Sequence, residues 1–335
     1  MTAAHRLLPA PSPAAVRLVL FDAFDTLARP RQPPHIQYAN EARALGVRWA
    51  PSSLRGEDER RAYEDEAIRV AFKEGVPVLL LTILSLSYHL QWEQAAFKRT
   101  LAEHPRYGLS TGLGSPSAWW ALLINSTFTA LTAHPPPPSL TTALLARFAS
   151  ARAYALFDDV LPALAQLRSL RAPSCVCVNV GIATNSDAAI LSALGALGLG
   201  EHMNLGLTSS SSSSRTEEPA PVLSYTAPAE KPHPAFFQHA LERASAHLRL
   251  ATPLEPHQAL YVGDQLHEDY WAAKDAGLRA LWLRRRDSGA AAASNQPVQA
   301  PPRVAGREGA EEGEEVGSLL EMVDIVRRWN GPAAS

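Results

Sequence analysis

The stretch RLVLFDAFDTL (residues 17–27) decides the reading of this chain. Its apolar run, Leu18, Val19, Leu20 and Phe21, ends abruptly at Asp22, with Asp25 and Thr26 close behind. A short run of large aliphatics bounded by polar residues predicts a strand buried on both faces. A carboxylate at the C-terminal end of such a strand stands where open α/β sheets hold their ligands. One carboxylate alone says little. Its meaning depends on whether later strands end in partners for Asp22.

Moving outward, residues 28–37 (ARPRQPPHIQ) read as a proline-rich linker, because proline cannot occupy a helix interior. Helical spacing follows over 36–47, 55–73, 92–106, 115–133 and 140–150. Ser115 is the expected N-cap of the fourth of these, with Pro116 at its first position. Residues 76–88 are far more apolar than their flanks; a buried helix, a strand and an inserted segment without a role in the fold all fit them. Residues 32–152 therefore form a mostly helical insert.

Beyond the insert, residues 154–170 carry helical spacing from Phe157 to Leu167. Residues 176–183 (VCVNVGIA) predict a second buried strand, tipped by Thr184-Asn185-Ser186-Asp187. A helix over 188–199, a third strand at 204–208 and a helix over 235–248 are expected next. Leu260-Tyr261-Val262 predicts a fourth strand ending in Gly263-Asp264 and reaching Asp269. A short helix at 272–276 and a fifth strand at 280–283 follow. The closing helix, 319–329, should bury Leu319, Met322, Val323 and Val326 and turn Asp324 outward. Residues 209–229, which begin with six serines, and 288–317, rich in Ala, Gly, Pro and Glu, read as disordered loops.

Composition sets broad bounds. The chain has 335 residues, 46% of them hydrophobic, enough for one sizeable domain or two modest ones. Its formal net charge of −2 gives no argument for nucleic acid or an anionic membrane surface as partner. The longest apolar run, residues 76–86, falls short of the ~20 residues a membrane-spanning helix needs. Cys175 and Cys177 would share one face of a strand, as buried thiols in a reducing compartment, and no zinc-type histidine spacing accompanies them. Residues 1–21 lack acids, as transit peptides do, but Pro9, Pro11 and Pro13 break any amphipathic helix there, which favours a frayed leader. An intracellular protein of the cytoplasm or nucleus is expected.

Alternating strands and helices imply an α/β fold with a doubly wound parallel sheet, a Rossmann-like core. In that fold Asp22, Thr184 with Asn185, and Asp264 converge at three strand tips, and Lys231 opens the helix before the fourth strand. Each has a bland reading. Asp22 and Asp264 could cap helices, Thr184-Asn185 could form a turn, and Lys231 could be a solvated surface lysine. Together they make a specific chemical set. A carboxylate attacks an electrophile, a hydroxyl and a lysine hold the oxyanion, and a second carboxylate binds a metal or orients the lysine. Mg²⁺ suits two carboxylates plus a phosphate, because it prefers oxygen ligands and keeps several waters.

This order of motifs resembles the haloacid dehalogenase-like hydrolase superfamily. The resemblance covers residues 16–31 and 154–285. It makes 1–31 and 153–335 the hydrolase core and 32–152 an inserted helical cap. It implies Asp22 as nucleophile, Thr184 and Lys231 as catalytic partners, Asn185 and Thr26 as substrate contacts, and Asp22, Asp264 and Asp269 as ligands of Mg²⁺. It also implies a small phosphorylated substrate. The stretches PRYGLSTGL (105–113), Trp119-Trp120 and VGDQLHEDYWAA (262–273) narrow the likeness within the superfamily. Residues 76–91 and 209–229 depart from the pattern, and 76–91 is expected not to be a needed part of the cap. The weightiest departure is Phe24. Phosphatases of the superfamily carry an acid–base Asp there, whereas dehalogenases carry an aromatic residue. GDQLHED nevertheless keeps the acidic, metal-binding form of the last motif. Phosphate monoester hydrolysis, haloacid-type displacement by Asp22, and a catalytically weak binding or regulatory protein are therefore the three readings in play.

Overall fold

The computed structural model describes residues 15–73, 96–170, 178–206, 218–250, 252–285, 307 and 309–331. Strand β1 (Leu18–Phe21) is buried along its whole length. A short strand β2 (Ala28–Pro30) follows and pairs antiparallel with β3 (Tyr154–Leu156). Between β2 and β3 the described chain is helical: α1 (Pro34–Ala44), α2 (Glu57–Lys73), α3 (Ala96–Glu103), α4 (Pro116–Thr132) and α5 (Pro138–Phe148). These helices close around their own core of Tyr38, Trp49, Ile68, Trp119, Leu123, Phe128 and Leu140. Ser115 caps α4 as expected, accepting the Ala118 N–H at 3.2 Å.

The second half alternates helix and strand. Its elements are α6 (Val160–Ser169), β4 (Asn179–Thr184), α7 (Ala188–Ala196), β5 (Val222–Leu223), α8 (Pro234–His247) and β6 (Ala259–Gly263). A π-helical turn (Leu266–Trp271) runs into α9 (Ala272–Asp275), and β7 (Arg279–Leu283), β8 (Glu315–Val316) and α10 (Leu319–Asn330) complete the chain. Among the described residues the main sheet has six strands, ordered β5-β4-β1-β6-β7-β8. Every pairing in it is parallel. The order reverses at β1, which lies between β4 and β6. This is the doubly wound α/β architecture read from the sequence.

Period-two alternation explains why the β1 run had to be continuously apolar. Val19 and Phe21 face one layer, with Val160 and Leu164 of α6, Ile190 of α7 and Met322 and Val323 of α10. Leu18 and Leu20 face the other, with Phe236 and Phe237 of α8 and Ala273 of α9. In α10, Leu319, Met322, Val323 and Val326 are buried and Asp324 is exposed, as the spacing predicted.

Some local readings are corrected. Part of the expected proline-rich linker, Ala28–Pro30, is strand β2, whose partner β3 lies beyond the whole helical insert. Residues 204–206 form no strand; the edge position belongs to Val222–Leu223, inside the stretch read as a loop. β8 likewise falls inside residues 288–317. Strands of two residues carry no periodicity of their own, so tertiary pairing alone creates them. Residues 76–91, both cysteines and the leader 1–14 lie outside the described residues. Among the described residues, no helix is long and apolar enough to cross a membrane.

The two ends of the described chain are tied together. Asn330, the last residue of α10, donates to the Val16 carbonyl at 2.8 Å and accepts the Val16 N–H at 2.7 Å. Val16 is fully buried. Asn330→Ala should leave both backbone groups unsatisfied and lower stability by about 2–4 kcal/mol. Urea denaturation of the full chain measures this, and an unchanged midpoint would disprove the tie.

Candidate active site

The site forms where the sheet order reverses, at the carboxyl ends of β4, β1 and β6. Asp22 directly follows β1, Thr184 is the last residue of β4, and Asp264 directly follows β6. The Asp22 N–H donates to the Val262 carbonyl at 3.0 Å, extending the sheet pairing up to the carboxylate itself. Strand pairing therefore fixes the backbone that carries Asp22.

Lys231 joins these tips. Its Nζ donates to Asp22 Oδ1 at 2.8 Å and to Asp269 Oδ1 at 2.5 Å, with all three side chains buried. It also lies 5.5 Å from the Tyr261 ring centroid. Burial alone would push the ammonium's pKa down. The Asp22 and Asp269 carboxylates outweigh it and hold Lys231 well above the ordinary lysine value. The Lys231 backbone is fixed separately: Asn185 Oδ1 accepts its N–H at 2.9 Å and Asn185 Nδ2 donates to its carbonyl at 3.0 Å. The peptide bond to Pro232 is cis.

Asp269 is held from the motif's own turn, where its Oδ2 accepts the Gln265 N–H at 2.9 Å. The π-helical turn wraps so tightly that a Cβ on Gly263 would stand 2.2 Å from Asp269 Oδ2. Glycine is required there by close approach rather than by its dihedral angles.

Asp22, Asp264 and Asp269 each offer an oxygen within 4.8 Å of the others'. Burial, then the negative charges of Asp269, Asp22 and Asp25, push the Asp264 carboxyl well above its ordinary pKa. Lys231 hydrogen-bonds to Asp22 and Asp269 but not to Asp264, so the cluster is short of positive charge when all three are ionised. An all-oxygen donor set with that deficit fits a hard divalent cation.

Both ends of the Asn185 amide hydrogen-bond to the Lys231 backbone and so help to position the lysine. Thr26 is fully buried, and its hydroxyl has no hydrogen-bond partner among the described residues. Phe24 rests against Tyr154 of β3, ring centroids 5.6 Å apart. Asp25 has a left-handed backbone, φ 52°, and burial and Asp22 raise its pKa to about 6 against the opposing Arg285 and Arg29.

Two groups escaped the sequence reading. Arg285 grips both oxygens of Asp159 at 2.9 and 3.0 Å and donates to the Thr26 carbonyl at 2.7 Å, clamping the loop after Asp22. In the sequence it belongs to a basic run, RRR at 284–286, that looks like a solvated surface. Glu268 is buried beside the lysine, and burial raises its pKa to about 7 against the pull of Lys231.

A family model described as haloacid dehalogenase-like hydrolase matches residues 16–277. The haloacid dehalogenase-like hydrolase domain-containing protein 3 of Danio rerio is 25% identical over 274 residues, covering 81% of this chain and 86% of that protein. Its counterpart in Mus musculus is 26% identical over 281 residues, covering 83% of each. Among solved structures, the putative HAD-hydrolase YfnB from Bacillus subtilis is similar with a TM-score of 0.47 at 14% identity, covering 93% of this chain and 99% of that one.

Gly263→Ala should force Asp269 away from Lys231 and cost about 1–3 kcal/mol, as overpacking of a tight site does. Thermal unfolding of the purified variant checks this; a melting temperature equal to that of the parent would show that the turn has room.

Proposed function

Because the chain belongs to the haloacid dehalogenase-like hydrolase family, we propose that it hydrolyses the phosphate monoester of a small molecule, with Asp22 as nucleophile. The observation that carries this reading is the buried Lys231 ammonium held between Asp22 and Asp269 beside a third carboxylate, Asp264. Asp22, Asp264 and Asp269 would hold Mg²⁺. When bound, the ion supplies positive charge against a phosphoryl group and offsets the excess of carboxylates.

In the first step an Asp22 carboxylate oxygen attacks phosphorus, and the bond to the ester oxygen breaks with its electron pair leaving on that oxygen. In the second step water attacks the aspartyl phosphate, releasing inorganic phosphate and restoring the carboxylate. Lys231 and the Thr184 hydroxyl would stabilise the charge that builds on the transferring group. Thr184 is buried at the end of β4, next to the Asn185 that fixes Lys231.

Phe24 shapes the rate and the substrate. A phenyl ring cannot protonate a departing alkoxide, so substrates with acidic leaving groups should react best. The same residue favours a second reading, displacement of halide from a 2-haloacid by Asp22, since an aromatic residue at this place is the dehalogenase pattern. The acidic set around Asp264 weighs for the phosphatase reading, because displacement of halide needs no divalent cation.

Turnover of p-nitrophenyl phosphate should require Mg²⁺ and fall to background in Asp22→Asn, and turnover of an alkyl phosphate such as glycerol 2-phosphate, whose alkoxide needs a proton, should rise by about 10²–10⁴ in Phe24→Asp as an acid–base group is restored. Release of halide from 2-chloropropionate, with no phosphatase activity in either the parent or Phe24→Asp, would overturn the phosphatase reading in favour of the second.

A further inference from the structure

The aromatic and basic residues of 105–113 and 119–120 are not used by the chemistry above, yet they reach across to it. In the turn Pro105–Gly108, Arg106 (φ 49°, ψ 51°) and Tyr107 (φ 57°, ψ 28°) are both left-handed. Two adjacent non-glycine residues hold that conformation only where their surroundings over-determine it. The surroundings are the core. Arg106 Nη2 and Nε donate to the Ser224 carbonyl at 2.9 and 3.3 Å, Nη1 to that of Pro228 at 3.4 Å, and Nη2 also to that of Ala227. These carbonyls line the segment that leads to Lys231, and Arg106 also attracts Glu230, the residue before the lysine.

Neighbouring cap residues hold the other loop of the site. The buried Tyr107 side chain reaches Ser186 and packs edge-on to Tyr225 at 6.3 Å. Trp120 Nε1 donates to Asp187 Oδ2 at 2.8 Å, while Asp187 Oδ1 caps α7 by accepting the Ala189 N–H at 2.7 Å. Trp119, edge-on to Trp120 at 4.9 Å, donates to the His104 carbonyl and so braces the turn from behind. The two loops are already linked to each other by the Ser224 N–H to the Thr184 carbonyl at 3.0 Å.

We infer that Arg106 is a positioning residue: from the cap, its guanidinium gathers the carbonyls of 224, 227 and 228 and thereby sets the place of Lys231 between Asp22 and Asp269. A forked guanidinium suits this task because its donors diverge in a plane toward separate acceptors, which a compact ammonium cannot copy. The cap is thus part of what assembles the site. The consequence for phosphate binding rests on the phosphatase reading; the positioning itself does not.

Hydrogen–deuterium exchange of the full chain tests it. Arg106→Ala should speed exchange across residues 222–232 by about tenfold or more while leaving β1 and β6 unchanged, and Arg106→Lys should lie between the two. Arg152→Ala, which removes an exposed cap ion pair to Glu41, serves as control and should leave 222–232 as in the parent. Unchanged exchange at 222–232 in Arg106→Ala, or a rise shared equally by β1 and β6, would overturn the proposal. If Arg106→Ala does not fold, the same comparison on Arg106→Lys decides. Calorimetric titration supplies the second readout. Arg106→Ala should weaken binding of inorganic phosphate in the presence of Mg²⁺ and leave binding of Mg²⁺ alone unaltered. Failure of the parent protein to bind phosphate would count against the phosphatase reading, and the exchange result would still decide the positioning role.

Discussion

One buried ammonium, Lys231, organises the functional end of this molecule. It lies at hydrogen-bond distance from carboxylates on two different segments, Asp22 after β1 and Asp269 after β6. Removing Lys231 would leave two buried carboxylates without it, a far larger penalty than the pairs' net contribution to stability. The surrounding architecture serves to keep that triad together. Parallel pairing of β1 with β6 sets Asp22 beside the turn that bears Asp269. Asn185 fixes the lysine's backbone. The missing Cβ of Gly263 lets Asp269 fold back to meet it.

The carboxyl left over by the triad is what supports the proposal of a cation at this site. Lys231 satisfies Asp22 and Asp269 but not Asp264, whose carboxyl is partly buried among like charges. A site with this imbalance is a poor resting place for an anion by itself. A divalent ion reverses that balance and lets a phosphoryl group approach an acidic cluster. On the proposed phosphatase reading Phe24 has no proton to give a leaving group, and its ring packs against Tyr154.

The helical insert is more than a covering. It has its own buried core, built on Tyr38, Trp119, Leu123 and Phe128. Arg106, Tyr107 and Trp120 are rooted in the insert and end on the loops after β4 and β5. Backbone strain at Arg106 and Tyr107 is tolerated because several polar and aromatic contacts converge on the same two residues.

Residues 17–27 and the later strand tips made the α/β class, the order of the motifs and the meeting of Asp22, Lys231, Asp264 and Asp269 legible from the sequence. Burial on both faces demands an uninterrupted apolar run, and polar residues at the ends of such runs have few structural reasons to be there. The same local logic recovered the inward stripe of α10 and the Ser115 cap. It could not see β2, β5 or β8, which exist only through a distant partner strand. Nor could it separate ligand-facing groups from supporting ones. Only the structure shows that the Asn185 amide holds the Lys231 backbone and that Thr26 is fully buried. Arg285 and Arg106 gain their partners, Asp159 and distant backbone carbonyls, only through the fold. Periodicity along the chain determines which segments become strands and what stands at their tips. Which side chains meet across the chain is a matter of three-dimensional proximity, and only the tertiary structure decided it.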